Sequence, residues 1–264
     1  MRLRSLLALM LAVTLTFALP PKATNAFVER GNAKFTDIVN TGKANDCPVL
    51  DTDLSGKINL GNGDSLKGIC MHPTEVYVKL PGTKRQKAGF VESKIISPRN
   101  NTTVDQVYGE VNSGEFKESG GIDFQLITVL TPSGTEVPFV FSAKDLTAKV
   151  PNSLEAGSEL SGTTLTPSYR TGDFLDPKSR AKDTGVEYAQ GLVALGGDDD
   201  ELAKENIKVE LDGKGTITMT INNVDSDTDE FSGTFEVIQP SDTDMGSKDP
   251  LDVKIKGELY GRKA

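Results

Sequence analysis

Beyond residue 70, apolar and polar residues alternate with a period of two in most of the chain. Glu75–Leu80 puts Val76 and Val78 on one face, and Phe90–Ile96 alternates in the same way. Thr103–Val111 is looser, with Val104, Val107, Tyr108 and Val111. Ile122–Leu130 (IDFQLITVL), Glu136–Ser142, Asn206–Leu211, Thr216–Asn222 (TITMTIN), Phe231–Ile238 and Asp252–Tyr260 follow. Successive strand side chains point to opposite faces, so this period predicts half-buried strands. Pro81-Gly82, Ser113-Gly114, Ser133-Gly134 and Asp212-Gly213 supply turn chemistry between them. Helical patterning is confined to Ala33–Val39 and to Asp198–Asn206, where Asp198–Asp200 suit the positive end of a helix. Many short strands with few helices predict an all-β sandwich or barrel.

The strand rhythm breaks once. Some sixty residues between Ser142 and Ile207 are rich in Gly, Ser, Thr and Pro, too long for a structureless connection inside a compact domain. The expectation is one domain over 27–264 with an insertion at about 147–205 extending from one end of the barrel. In its middle lies Pro167–Arg180, PSYRTGDFLDPKSR. Tyr169, Phe174 and Leu175 are interleaved there with Arg170, Asp173, Asp176, Lys178 and Arg180. Neither period fits, and the Asp176-Pro177 step disfavours helix, so a stiffened exposed loop is expected. Composition alone leaves open whether it recognises a partner or is an ordinary solvated loop.

Residues 1–26 change the charge picture. Arg2 and Arg4 precede the apolar run Leu6–Leu19, and Ala23-Thr24-Asn25-Ala26 offers a small-residue cleavage site. This is the pattern of a secretory signal peptide, short of the roughly 20 residues a membrane span needs. The whole chain carries 29 Lys and Arg against 38 Asp and Glu. Removing Arg2, Arg4 and Lys22 leaves 26 against 38, a net charge near −12. Such a chain has no electrostatic reason to bind nucleic acid or an anionic membrane surface. No second long apolar run follows, so a soluble exported protein is expected. Its two thiols, Cys47 and Cys70, are expected to form one disulfide.

Candidate chemistry is sparse. Two Cys and the single His72 fall short of a closed zinc shell. His72 reads as a hydrogen-bonded surface histidine before Pro73. Asp225-Ser-Asp227-Thr-Asp229, with Glu236 beyond, imitates a calcium loop but has Glu230 at the sharp-turn glycine position. Flanking strand patterns make it a hairpin tip, with weak surface calcium binding left open. Ser241–Gly246 (SDTDMG) is a second acidic turn. Asn100 and Asn101 head glycosylation sequons that matter only if the host glycosylates. No nucleophile–base arrangement and no phosphate-cradling glycine loop occurs. These features favour binding or structural support over catalysis, with no catalytic and no metal-ligating residue assigned.

Seven ordered motifs carry a resemblance. They are Phe35–Cys47 (FTDIVNTGKANDC), Lys84–Lys94 (KRQKAGFVESK), Gly121–Gln125, Pro167–Arg180, Gly233–Glu236, Gln239–Gly246 and Val253–Tyr260. Together with the cysteine pair, the chain resembles the PsbO family, the manganese-stabilising extrinsic proteins of photosystem II, in its cyanobacterial form. The resemblance implies an eight-stranded antiparallel β-barrel with a large head insertion between strands five and six. It implies a non-enzymatic subunit on the lumenal side of the thylakoid membrane, or the periplasmic side in a host without thylakoids. That subunit would stabilise and shield the oxygen-evolving manganese–calcium cluster without ligating manganese or holding a cofactor of its own. Its partners would be reaction-centre, inner-antenna and other extrinsic subunits. By resemblance, Tyr169, Arg170, Asp176, Lys178 and Arg180 are docking residues, and Asp242 and Asp244 belong to an acidic proton path. The chain departs from the family pattern at Ser179 and Ala181 around Arg180, at Thr243 where an acid is common, and at Leu251 where some members carry histidine. The alternative is a free-standing exported β-barrel that binds calcium or a small ligand through the Asp225–Asp229 turn.

Overall fold

Strands dominate the computed structural model, which describes residues 45–51, 54–82, 87–96, 102–167, 213–241 and 249–264, and the backbone of 173–176 and 187–190. In chain order they are β1 (Ile58–Asn59), β2 (Asp64–Leu80), β3 (Gly89–Ile95), β4 (Val104–Asn112), β5 (Glu115–Ile122), β6 (Phe124–Leu130), β7 (Glu136–Ser142) and β8 (Thr147–Lys149). Then come β9 (Ser153–Leu154), β10 (Glu159–Thr166), β11 (Asp173–Asp176), β12 (Glu187–Gln190), β13 (Gly213–Asp225), β14 (Glu230–Pro240) and β15 (Asp252–Lys263). Eight of them close a ring, β2–β4–β5–β8–β10–β13–β14–β15 and back to β2. Every ladder of the ring is antiparallel. The expected eight-stranded antiparallel barrel is the observed fold.

The alternation predicts the core directly in β13. Ile217, Met219 and Ile221 are buried, while Thr216 and Thr218 face out. A bulge between Ile221 and Asn223 resets the phase, so Val224 also points inward. In β2 the same device works several times. Its register shifts against β4 between Leu66, Ile69 and Met71, and against β15 between Lys256 and Gly257. Buried positions therefore move from Leu66 to Ile69 and Met71, and then to Val76 and Val78. Pro73 sits opposite Gly257 at the bulge, where its missing N–H costs least. A Cβ on Gly257 would run into the His72 carbonyl, so glycine is required there.

β2 is longer than the ring needs. Its first half pairs with β4, and its last five residues pair with β3. β3 continues through β6 to β7, a second branch that extends one side of the barrel. The end of the ring bearing Leu80, Ile122, Thr166, Gly213, Pro240 and Asp252 is called the head here. The opposite end, bearing Asp64, Asn112, Glu115, Asp225, Glu230 and Lys263, is the foot. A strap over residues 54–60 crosses the foot. The Gly56 N–H donates to the Val224 carbonyl at 2.8 Å, Leu60 N–H to Asn152 at 2.8 Å, and β1 pairs with β9. Ile58 and Leu154 are buried beneath it.

Several expectations change. The Cys47–Cys70 loop contributes Ile58, Leu60, Leu66 and Ile69 to the core. The single strand expected over Ile122–Leu130 is split at Asp123, whose carbonyl accepts from the Ala143 N–H at 2.7 Å. Residues 147–166, placed in the insertion, supply two staves, β8 and β10. The chain between the fifth and sixth staves is thus 167–212. The expected strand Asn206–Leu211 and both expected helices lie outside the described residues.

Candidate functional site at one end of the barrel

The ladders bring three distant stretches to one end. β10 finishes at Thr166 opposite Gly213, the start of β13, so everything from Pro167 to residue 212 leaves and re-enters the ring at the head. β14 finishes at Pro240 opposite Asp252, so the acidic turn leaves the same end. Leu80 of β2 pairs with Gly89 of β3 there too, and the sequence between them carries the basic run Lys84–Lys87. The predicted docking loop, the predicted acidic turn and a basic run are thus tethered to a common rim.

Asp176 is the last residue of β11 and pairs with Glu187 of β12. Asp173–Asp176 is therefore strand, where an irregular loop was expected. Four residues are too few for a period to show. Tyr169, Arg170, Lys178, Arg180, Asp242 and Asp244 lie outside the described residues.

The rim itself is well tied. Ser241 and Leu251 pinch the base of the acidic turn, with Ser241 N–H donating to the Leu251 carbonyl at 2.7 Å and Leu251 N–H to Ser241 Oγ at 2.9 Å. Lys79 pairs with Asp252 at 2.7 Å. The Lys254 ammonium lies 4.8 Å from the centroid of the exposed Phe90 ring, and Lys79 6.0 Å from it. These lysines hold cation–π geometry around the Phe90 ring.

The head side also holds a buried acid that pattern reading missed. Glu118 is only 8% exposed, on the inward phase of β5 after Phe116. Its Oε2 accepts from the Asp145 N–H at 2.8 Å, while Lys144 pairs with Asp123 at 3.7 Å. Burial pushes the Glu118 carboxyl up and the Asp123 charge adds to this; the Asp145 N–H and Lys144 pull the other way. A glutamate at an inward position beside Phe116 was the available signal.

The chain before the barrel is clamped to the same side. Asn45 accepts from Thr102 N–H at 2.7 Å through its side chain and from Thr103 Oγ at 2.6 Å through its carbonyl. The Thr103 hydroxyl proton is thereby used, so His72 Nδ1, 3.0 Å away, is the donor to Thr103 Oγ. His72 is thus the hydrogen-bonded histidine expected. The expected disulfide joins Cys47 to Cys70 with Cα atoms 5.6 Å apart, packed on Tyr260 and Leu50.

The calcium-like run sits at the foot, far along the strands from these features. It is the tip of the β13–β14 hairpin, as expected. Asp225 Oδ1 accepts from Asp227 N–H at 2.8 Å, a bond that holds its carboxyl below the usual range. Among the described residues, no group of three or more His, Cys, Asp or Glu side chains could hold a metal ion. Among them, too, no helix is long and apolar enough to cross a membrane.

Known proteins share this chain's sequence over nearly its full length. Photosystem II extrinsic protein O of Synechococcus elongatus is 42% identical over 273 residues, covering 99% of this chain and 98% of its own. The protein of that name from a Synechocystis species is 41% identical over 246 residues, covering 89% and 88%. That of a Nostoc species is 40% identical over 273 residues, covering 99% of each. Residues 31–263 match the family described as manganese-stabilising protein / photosystem II polypeptide, and the chain belongs to that family.

Proposed function

We propose that this chain is an extrinsic subunit of photosystem II, bound on the lumenal side of the thylakoid membrane through protein contacts. Its work there is non-enzymatic. It keeps the oxygen-evolving manganese–calcium cluster of the partner complex assembled and shielded, and lends no ligand to manganese. Family membership supports the assignment to photosystem II. The observation that carries the docking geometry is the common rim, from which Pro167–Arg180, the Asp242–Asp244 turn and Lys84–Lys87 all depart.

In this reading the barrel is a rigid mount and the head presents charge. Arg170, Lys178 and Arg180 make charge-assisted contacts with carboxylates or carbonyls of reaction-centre and inner-antenna loops. Asp176 orients a cation or accepts from a partner, and Tyr169 supplies apolar area around those charges, as interface anchors do. Asp242 and Asp244 serve as proton acceptors on the way from the cluster to the lumen. The net negative charge suits a surface that meets basic partner loops.

Rebinding to photosystem II particles stripped of extrinsic subunits tests this. Arg170→Ala and Asp176→Ala should each weaken rebinding, at a cost of about 2–5 kcal/mol for one truncated member of a desolvated pair. Oxygen evolution should fall in parallel, while the barrel melts as before. Wild-type rebinding by both variants would sink the assignment of this loop.

A further inference from the structure

We propose that the β3–β6–β7 branch is a flap of the barrel that opens separately, latched by the side-chain amide of Gln239. In the main ring every stave has a ladder on both edges. β7 has one, to β6. Its other edge faces β10, whose ladder to β8 stops at Thr163 opposite Thr147. From Thr164 to Thr166, β10 is paired only with β13. The barrel wall has a seam here, closed by side chains and the Leu165–Lys144 backbone bond and not by a ladder.

Few bonds stitch the seam. Gln239 reaches it from β14; its Nε2 donates to the Val140 carbonyl and its Oε1 accepts from the Ser142 N–H at 3.4 Å. Val140 and Ser142 are two apart on β7, so these groups face one edge, and the amide takes the pair that a neighbouring strand would take. Pro138, in phase with them, removes a donor from that edge. Ser142 Oγ–H donates to the Leu165 carbonyl at 2.7 Å, and Leu165 N–H donates to Lys144 at 2.8 Å. Gln239 and Ser142 are 1% and 0% exposed. Beside them the hydroxyls of Thr164 and Thr166, at 2% and 5%, have no hydrogen-bond partner among the described residues. Under the flap, Ile127, Val129, Val137, Phe139 and Phe141 join the barrel core, and Phe141 stacks on Phe235 with 5.5 Å between centroids.

Detaching the flap breaks these bonds and uncovers its core side chains, but it breaks no ladder of the eight-stave ring, so it requires less free energy than global unfolding. The latch is also coupled to the rim. Gln239 lies three residues before Asp242, and Thr166 directly precedes Pro167.

Native-state hydrogen exchange on the full chain tests this, in increasing sub-denaturing guanidinium. In the wild type, amides of 124–142 should exchange through an opening that exposes less surface than the one reporting on 216–221 and 253–259. Gln239→Ala should speed exchange in 124–142 by about tenfold or more, the effect of losing two buried hydrogen bonds, and leave 64–71 and 216–221 unchanged. Exchange of the flap at the rate of the ring strands in the wild type would overturn the proposal, and so would equal acceleration of all strands by Gln239→Ala. If that variant does not fold, the wild-type pattern decides alone.

Discussion

Glu118 sets a pH dependence of known sign. Its carboxyl titrates higher in the folded chain than in the unfolded one, because burial and Asp123 oppose its charge. The stability it contributes is fully present below the ordinary glutamate value and is lost as pH rises through the folded value. Above the ordinary glutamate range the raised titration therefore costs stability. Glu118→Gln keeps an acceptor for the Asp145 N–H and should raise the melting temperature at pH 7, with the gain vanishing toward about pH 4.3. Thermal melts across that range check it. The two orphaned hydroxyls give a second outcome: Thr164→Val should be neutral or stabilising by up to about 3 kcal/mol, since an unsatisfied buried group is removed. Single residues were legible where chemistry showed in type and spacing, as with Cys47, Cys70 and Asp225. They were not where a polar side chain sits inside the wall, as with Glu118 and Gln239, because polarity there counts against the burial it accompanies.

At the scale of elements, alternation identified strands wherever the phase holds for six or more residues, as in β13 and β14. It lost the first half of β2, where bulges shift the inward side repeatedly. It lost β5, whose FKESGGI looks like a charged loop, and the three-residue stave β8. Glycine and charge within those strands are there for backbone approach and buried contacts, which composition reads as turn. The Cys47–Cys70 bridge clamps the entering segment outside β2, and its loop spans a separation of 23 residues. Cys47→Ser with Cys70→Ser should cost roughly 3 kcal/mol in the chain-entropy picture, read as a lower denaturant midpoint under oxidising conditions.

For the whole molecule, the barrel was legible because closure needs only the count and spacing of strands. The convergence of the head segments was not: the strand ends that lead into 84–87, 167–180 and 242–244 share a rim only through the order in which staves neighbour one another. That arrangement predicts non-additivity. Substitutions in two of these segments should couple in rebinding to depleted photosystem II, with the double variant departing from the sum by about 0.5–3 kcal/mol. Additive losses would mean that the segments meet separate partners. The far end offers something different. Ala264 N–H donates to the Ser65 carbonyl at 2.8 Å, and Lys263 reaches Asp64 at 2.9 Å and the Asn59 carbonyl at 2.9 Å, which pins the last residues at the foot. A dye, affinity handle or surface tether attached after Ala264 would leave the rim unobstructed and give every immobilised molecule the same orientation, head outward.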